Sequence, residues 1–391
     1  MPKITPTIVC LKTKKGLYLK NNFVRRDNNL YYAIMKFWCT VIFIFVVALF
    51  AEEREWLSDA LLGEPFTVRS LDAGVAPRYH ATLVHYPFVS VNQAASAAGS
   101  DSASAGESRV SKASILYIHG FNDYFFQREL AQKMDSAGYS FYAIDLHKYG
   151  RSRREGETLG ELRDISEYYP ELDSAVAVIR RAEGDSAALV LMGHSTGGLI
   201  ASLYAADRRN GAGIAAIVLN SPFFEMNYIW PVRRLAVPLL SAIGSRFPNV
   251  GIPRGKNINY DRSLLRNYDG EWMYDTLLKV PGSLPVDLGW IRAIHQGHER
   301  IQQGLHLNTP VLVMHSGCSY REDDWSEEYT RCDAVLDVDH IREYGAHLGE
   351  NVRLERIEGG LHDLVLSHEP ARDNVYKTMF DFLDDSLATH P

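Results

Sequence analysis

Residues 188–208, ALVLMGHSTGGLIASLYAADR, run from an apolar stretch into a serine set among glycines and on into residues that suit a helix. Gly193-His194-Ser195-Thr196-Gly197 has the form G-x-S-x-G. A serine hydroxyl is a weak nucleophile until a base takes its proton, and it must project where a carbonyl carbon can reach it. A sharp turn between a strand and a helix achieves this, and small neighbours let the backbone turn so tightly. The N-terminus of the following helix favours developing negative charge. The five-residue pattern is weak alone; its setting between ALVLM and GLIASLYAADR gives it weight. The chemistry is attack on an acyl carbon, which needs a base, a carboxylate to orient it, and donors for an oxyanion.

Those groups need a scaffold, and the chain supplies apolar runs of strand length separated by helical stretches. They are ATLVHY (81–86), SILYI (114–118), SFYAIDL (140–146), ALVLM (188–192), IAAIVLN (214–220), VLVMH (311–315) and NVRLERI (351–357). Most are continuously apolar, the pattern of strands buried on both faces of a mainly parallel sheet. Their alternation with helices predicts an α/β, doubly wound architecture over residues 52–391. Residues 94–106 are Ala, Ser and Gly apart from Asp101, so 92–112 reads as a flexible surface loop. Residues 221–305 interrupt two strands, hold Trp230, Trp272, Tyr274 and Trp290, and read as a mostly helical cap.

On these segments the chain resembles the α/β-hydrolase fold, and within it the monoacylglycerol lipase and serine aminopeptidase group with a helical cap. The carriers are LYIHGFNDYFFQ, AIDLHKYGRS, GHSTGG, the cap and IEGGLHDL, in the family's order across about residues 55–385. The resemblance implies Ser195 as nucleophile and the backbone N–H groups of Phe121 and Thr196 as the oxyanion hole. It implies His362 as base, after the last strand; His368, six residues further on, is the weaker competitor. The acid departs from the pattern. The family's usual position after VLVMH holds Ser319 or Tyr320, and an acidic insert, REDDWSEEYTRC, follows. DAVLDVDHI then matches the family's acid and helix start, which makes Asp333 the expected acid; Asp323, Asp324, Asp337 and Asp339 are the alternatives. Asp145 also matches the family and implies a structural tie.

The remaining signals narrow the class. The net charge is −7, yet residues 1–36 carry eight Lys/Arg and one Asp, leaving a body of −14 that does not suit nucleic acid. Residues 37–51, FWCTVIFIFVVALFA, are uncharged and apolar after a basic stretch. Residues 1–51 therefore read as an extension bearing an anchor or signal segment, which predicts a membrane-anchored or secreted protein, with a cytoplasmic one as the alternative. No nucleotide or metal motif is present; His295 and His298 stand one helical turn apart without a third ligand, and no cofactor is expected. Cys318 and Cys332 bracket the acidic insert. Cysteine counting favours two separate thiols, with a disulfide as the alternative in an oxidising compartment. The expected activity is hydrolysis of a lipid or other acyl ester through an acyl-enzyme. An aminopeptidase-like hydrolase and a non-catalytic binding protein of the same fold are the alternatives.

Overall fold

A computed structural model describes residues 55–72, 80–87, 111–208 and 213–388, apart from 254, 256 and 283. The segment 1–51 and nearly all of the loop 92–112 lie outside the described residues. Nine strands form one sheet in the order β1-β2-β3-β5-β4-β6-β7-β10-β11. The seven strand-like runs appear as β3 (His80–Tyr86), β4 (Ser114–Ile118), β5 (Ser140–Asp145), β6 (Leu189–His194), β7 (Ile214–Asn220), β10 (Val311–Ser316) and β11 (Val352–Ile357). From β5 to β11 all neighbours are parallel. The antiparallel edge of β1 (Leu57–Ser58), β2 (Thr67–Asp72) and β3 precedes them. The TVRSLD stretch of β2 alternates and is short, so it lacks the apolar run that marks the buried strands.

Residue alternation along the central strands divides the core in two. Leu116 and Ile118 of β4 and Leu189 and Leu191 of β6 face one layer, with α2 (Tyr169–Glu183), α3 (Thr196–Asp207) and α7 (Val338–Gly345). Ile115 and Tyr117, with Val190 and Met192, face the other, with α1 (Arg128–Ala137) and α8 (Ala371–Ala388). Both faces are thus covered by helices, as continuously apolar parallel strands require. Helix α3 is buried nearly all round, which explains its apolar, small-residue composition.

Between β7 and β10 lie α4 (Val237–Gly244), β8 (Gly251–Ile252), α5 (Asn259–Leu264), β9 (Val286–Asp287) and α6 (Leu288–Gln302). Trp290 of α6 packs on Phe121 with ring centroids 4.9 Å apart. Asn122 donates to the Val280 carbonyl at 2.7 Å and accepts from the Val280 N–H at 3.0 Å. Side chains therefore pin the irregular stretch near residue 280, where the sequence offers no periodic signal.

A half-buried histidine and a buried one make stability depend on acid. Burial pushes His85, stacked on Tyr142 at 4.4 Å, down from 6.5 to about 4. Burial likewise lowers His298 to about 3. Both are neutral when folded, while the unfolded chain protonates them below its ordinary histidine value. Their contribution is therefore complete above that value and is lost as pH falls toward the folded ones. Stability should drop by about 2–3 kcal/mol per pH unit from about pH 6 to about pH 4.5. Urea unfolding at several pH values checks this, and a midpoint that does not move would contradict it.

Candidate active site

Strand β6 ends at His194, and Ser195 caps α3 with φ +53° and ψ −118°. That positive φ is uncommon for a side-chain-bearing residue, and the surroundings hold it there. The Ser195 N–H donates to the Asn220 carbonyl at 3.0 Å, and its own carbonyl accepts from Gly198 and Phe223. A Cβ on Gly197 would overlap the Ile118 carbonyl, and one on Gly193 would lie 2.5 Å from the Gly197 oxygen. The glycines are therefore required by close approach of β4, β6 and α3, which answers why GHSTGG is built of small residues.

The Cβ position of Gly120 lies 3.1 Å from Ser195 Cβ, so the loop after β4 abuts the serine. His119 controls that loop. Its Nε2 accepts from the Leu146 N–H at 3.1 Å, which leaves Nδ1 protonated and donating to the Gly120 carbonyl at 2.7 Å. The peptide joining Gly120 to Phe121 is trans, so fixing its C=O turns the Phe121 N–H to the opposite side. The Thr196 N–H opens α3 and has no carbonyl four residues back to bond. In the sequence His119 stands only within the LYIHGFNDYFFQ stretch; its orienting role needs the contact with Leu146, which is 27 residues away.

His362 Nδ1 donates to Asp333 Oδ2 at 2.9 Å, and the pair is buried, with exposures of 3% and 0%. The other carboxylate oxygen, Oδ1, accepts from the Val335 and Leu336 N–H groups at 2.8 and 2.7 Å. The His362 ring centroid is 4.8 Å from that of His194, the residue before the serine. The Ser195 hydroxyl, 8% exposed, is not hydrogen-bonded to His362 here. Contacts of this kind are often long until substrate arrives.

Asp333 reaches this place because the acidic insert is closed off. Cys318 and Cys332 form a disulfide with Cα atoms 4.9 Å apart. The reading as separate thiols is therefore corrected: folding brings the two ends of the insert together, which cysteine counting cannot see. Asp333 N–H donates to the Cys318 carbonyl at 2.8 Å, and Tyr320 N–H donates to the Asp333 carbonyl at 2.9 Å. Ser319 and Asp333 pair as a bridge, so Asp333 lies beside the position where an acid was first sought.

The other candidates lie elsewhere. His368 pairs with Glu271 at 2.5 Å. Asp323 lends its carbonyl to Asn259, and Asp337 caps α7, accepting from Asp339 N–H. Asp324 and Asp339 are exposed. Asp145 is buried, pairs with Arg151 at 2.8 Å and accepts from Phe125 N–H, a structural tie as expected. His298 bonds the Phe223 carbonyl and His295 lies 3.7 Å from Glu299, so the two do not converge on a ligand.

A buried polar cluster beside the histidine was not singled out from sequence. Asp363 accepts from Asn220 at 2.7 Å and Gln127 at 3.0 Å, while its N–H donates to the Tyr260 hydroxyl. Asp123 pairs with Lys279 at 2.9 Å; burial disfavours the ammonium, and Asp123 outweighs it, raising the lysine's pKa. Asp123, His194 and Asp363 offer ligand atoms within 4.8 Å of one another. Asp123 is neutralised by Lys279 and Asp363 is engaged by two amides, so the donor set fits a structural network better than a cation. Only the adjacency of Asp363 to His362 could have drawn attention to it.

The family model described as serine aminopeptidase, S33, matches residues 109–370. The chain belongs to this family. The phospholipase YtpA of Bacillus subtilis is 27% identical over 278 residues, covering 70% of this chain and 95% of its own length. A monoacylglycerol lipase of Mycolicibacterium smegmatis is 28% identical over 207 residues, covering 51% and 68%. Among solved structures, a soluble variant of monoglyceride lipase from Saccharomyces cerevisiae superposes with a TM-score of 0.58 at 16% identity, covering 81% of this chain and 94% of that one. The monoacylglycerol lipase of Paleococcus ferrophilus gives 0.54 at 16%, covering 71% and 96%. At that identity the structures show the α/β-hydrolase fold. The protein is a lipase-like hydrolase of this family, in agreement with the ester-cleaving expectation. Among the described residues no helix is long and apolar enough to cross a membrane, and the 37–51 segment lies outside them.

Proposed function

We propose that the protein is a serine hydrolase that cleaves carboxylic esters of single-chain lipids, such as monoacylglycerols or lysophospholipids. The observation that carries this is the buried Asp333–His362 pair beside the strained Ser195 turn. With Nδ1 donating to Asp333, His362 keeps the Nε2 lone pair as a base. It takes the Ser195 proton as the oxygen attacks the ester carbon. The Phe121 and Thr196 amides receive the oxyanion, and His362 returns the proton to the leaving alcohol. Water then repeats the sequence on the acyl-enzyme. Phe121, Phe223 and Trp290 give the acyl chain an apolar wall.

A peptidase acting at a free amine would need an unpaired carboxylate near the serine. Asp123 is charge-paired with Lys279 through Oδ1, although its Oδ2 has no hydrogen-bond partner, and Asp363 accepts from two amides, which favours the ester reading. We also propose residues 37–51 as an anchor or signal segment. A disulfide suits the oxidising side of a membrane, where such a segment would deliver the domain.

Labelling of the folded full chain with a fluorophosphonate, followed by mass mapping, tests the nucleophile. A single adduct on Ser195 is expected. No adduct, or one on another serine, would remove the reading and bring forward a binding protein of the same fold.

A further inference from the structure

We propose that the Cys318–Cys332 disulfide is a positioning element for the acid, so that opening it frees Asp333 from His362 and lowers turnover. This rests on Asp333 serving as the acid. The link closes the mouth of the insert with Cα atoms 4.9 Å apart across a sequence separation of 14. Asp333 follows Cys332 directly. Its backbone is tied to the end of β10 through the Cys318 carbonyl and the Tyr320 N–H, both at that same mouth. The remaining bonds of its carboxylate, apart from His362, run forward to Val335 and Leu336, which move with it.

The insert does not favour closure by itself. REDDWSEE, residues 321–328, carries five carboxylates against one arginine, and such a run repels itself and prefers solvent. A covalent link removes the loop-closure entropy that this sequence would otherwise oppose to folding. The insert also bears on the histidine from the far side. Asn259 donates to the Asp323 carbonyl at 3.1 Å, and the Arg262 guanidinium lies over the Trp325 ring at 4.1 Å. Both residues are on α5, whose Tyr260 ring lies 5.7 Å from His362 and whose hydroxyl accepts from Asp363 N–H. Releasing the insert loosens the partner of His362 and the helix packed on it together.

The chemistry is a two-electron exchange. A dithiol such as dithiothreitol gives two electrons and two protons, the S–S bond breaks to two thiols, and the reagent leaves as its cyclic disulfide. Cys318 is partly exposed, so the bond is open to attack.

The experiment follows p-nitrophenyl ester hydrolysis by the full chain before and after dithiothreitol, with thiols counted by mass and folding followed by thermal melting. The Cys318→Ser/Cys332→Ser variant is run beside it, and so is Asp333→Asn. The expected result is a kcat lower by roughly 10²-fold with KM unchanged, as a displaced catalytic group produces. The double serine variant should match the reduced protein, reoxidation should restore the rate, and the residual activity of Asp333→Asn should not respond to reductant. A folded, fully reduced protein with unchanged kcat overturns the proposal. So does an equal loss in Asp333→Asn, which would place the effect away from the acid. Global unfolding on reduction overturns it as well, since the link would then hold the whole domain. Full activity of untreated Asp333→Asn would be a separate failure, of the triad reading itself.

Discussion

Replacing Ser195 by alanine is expected to lower kcat for ester hydrolysis by on the order of 10⁶, and His362→Ala by a similar factor. The double variant should be little worse than either, because nucleophile and base act as one unit. A serine without a base keeps its proton, and a base without the serine has nothing to deprotonate. A residual rate above that of water should survive, since the Phe121 and Thr196 amides and the apolar wall do not depend on either side chain. Steady-state kinetics on the three variants decides this. Losses that multiply in the double variant would show two groups acting independently and would break the proposed relay. Folding should be unaffected by Ser195→Ala, because the backbone bonds to Asn220, Gly198 and Phe223 hold the turn without the hydroxyl.

The second large effect concerns Asp333→Asn, which is nearly isosteric yet should lower kcat by roughly 10⁴-fold. The direction follows from the hydrogen bonds. One carboxylate oxygen accepts from two backbone N–H groups, those of Val335 and Leu336. An asparagine must keep its only oxygen there, since an amide nitrogen would confront two donors. Its NH₂ then faces His362 Nδ1 and donates, which moves the ring proton to Nε2. That tautomer cannot accept the Ser195 proton. KM and the melting temperature should change little, because shape and packing are retained. A variant with wild-type kcat would move the acid elsewhere in residues 319–339.

The serine turn could be read from residue types because its constraints are local. A glycine is required wherever backbones approach within contact, and the spacing in GHSTGG records three such approaches within six residues. The buried parallel strands were legible for a related reason. Burial on both faces leaves continuous apolar runs, as in SILYI and IAAIVLN. The strand TVRSLD escaped because it lies at the antiparallel end of the sheet, between β3 and the two-residue β1, where no such run is needed.

The sequence by itself determined the tight turn at Ser195, the parallel core and the place of His362 after the last strand. Each is fixed by a short stretch of neighbouring residues. Only the tertiary structure decided how Asp333 reaches His362, the orientation of the Gly120–Phe121 peptide and the charged network around Asp363. A disulfide and a bridge bring Asp333 back to the end of β10 across an insert whose composition gives no hint of its closure. His119 turns the Phe121 amide only because Leu146 fixes its tautomer from another strand end. Lys279 is charged and buried only because Asp123 meets it across 156 residues. Such pairings depend on where distant segments come to rest, which packing and chain closure settle and local pattern does not.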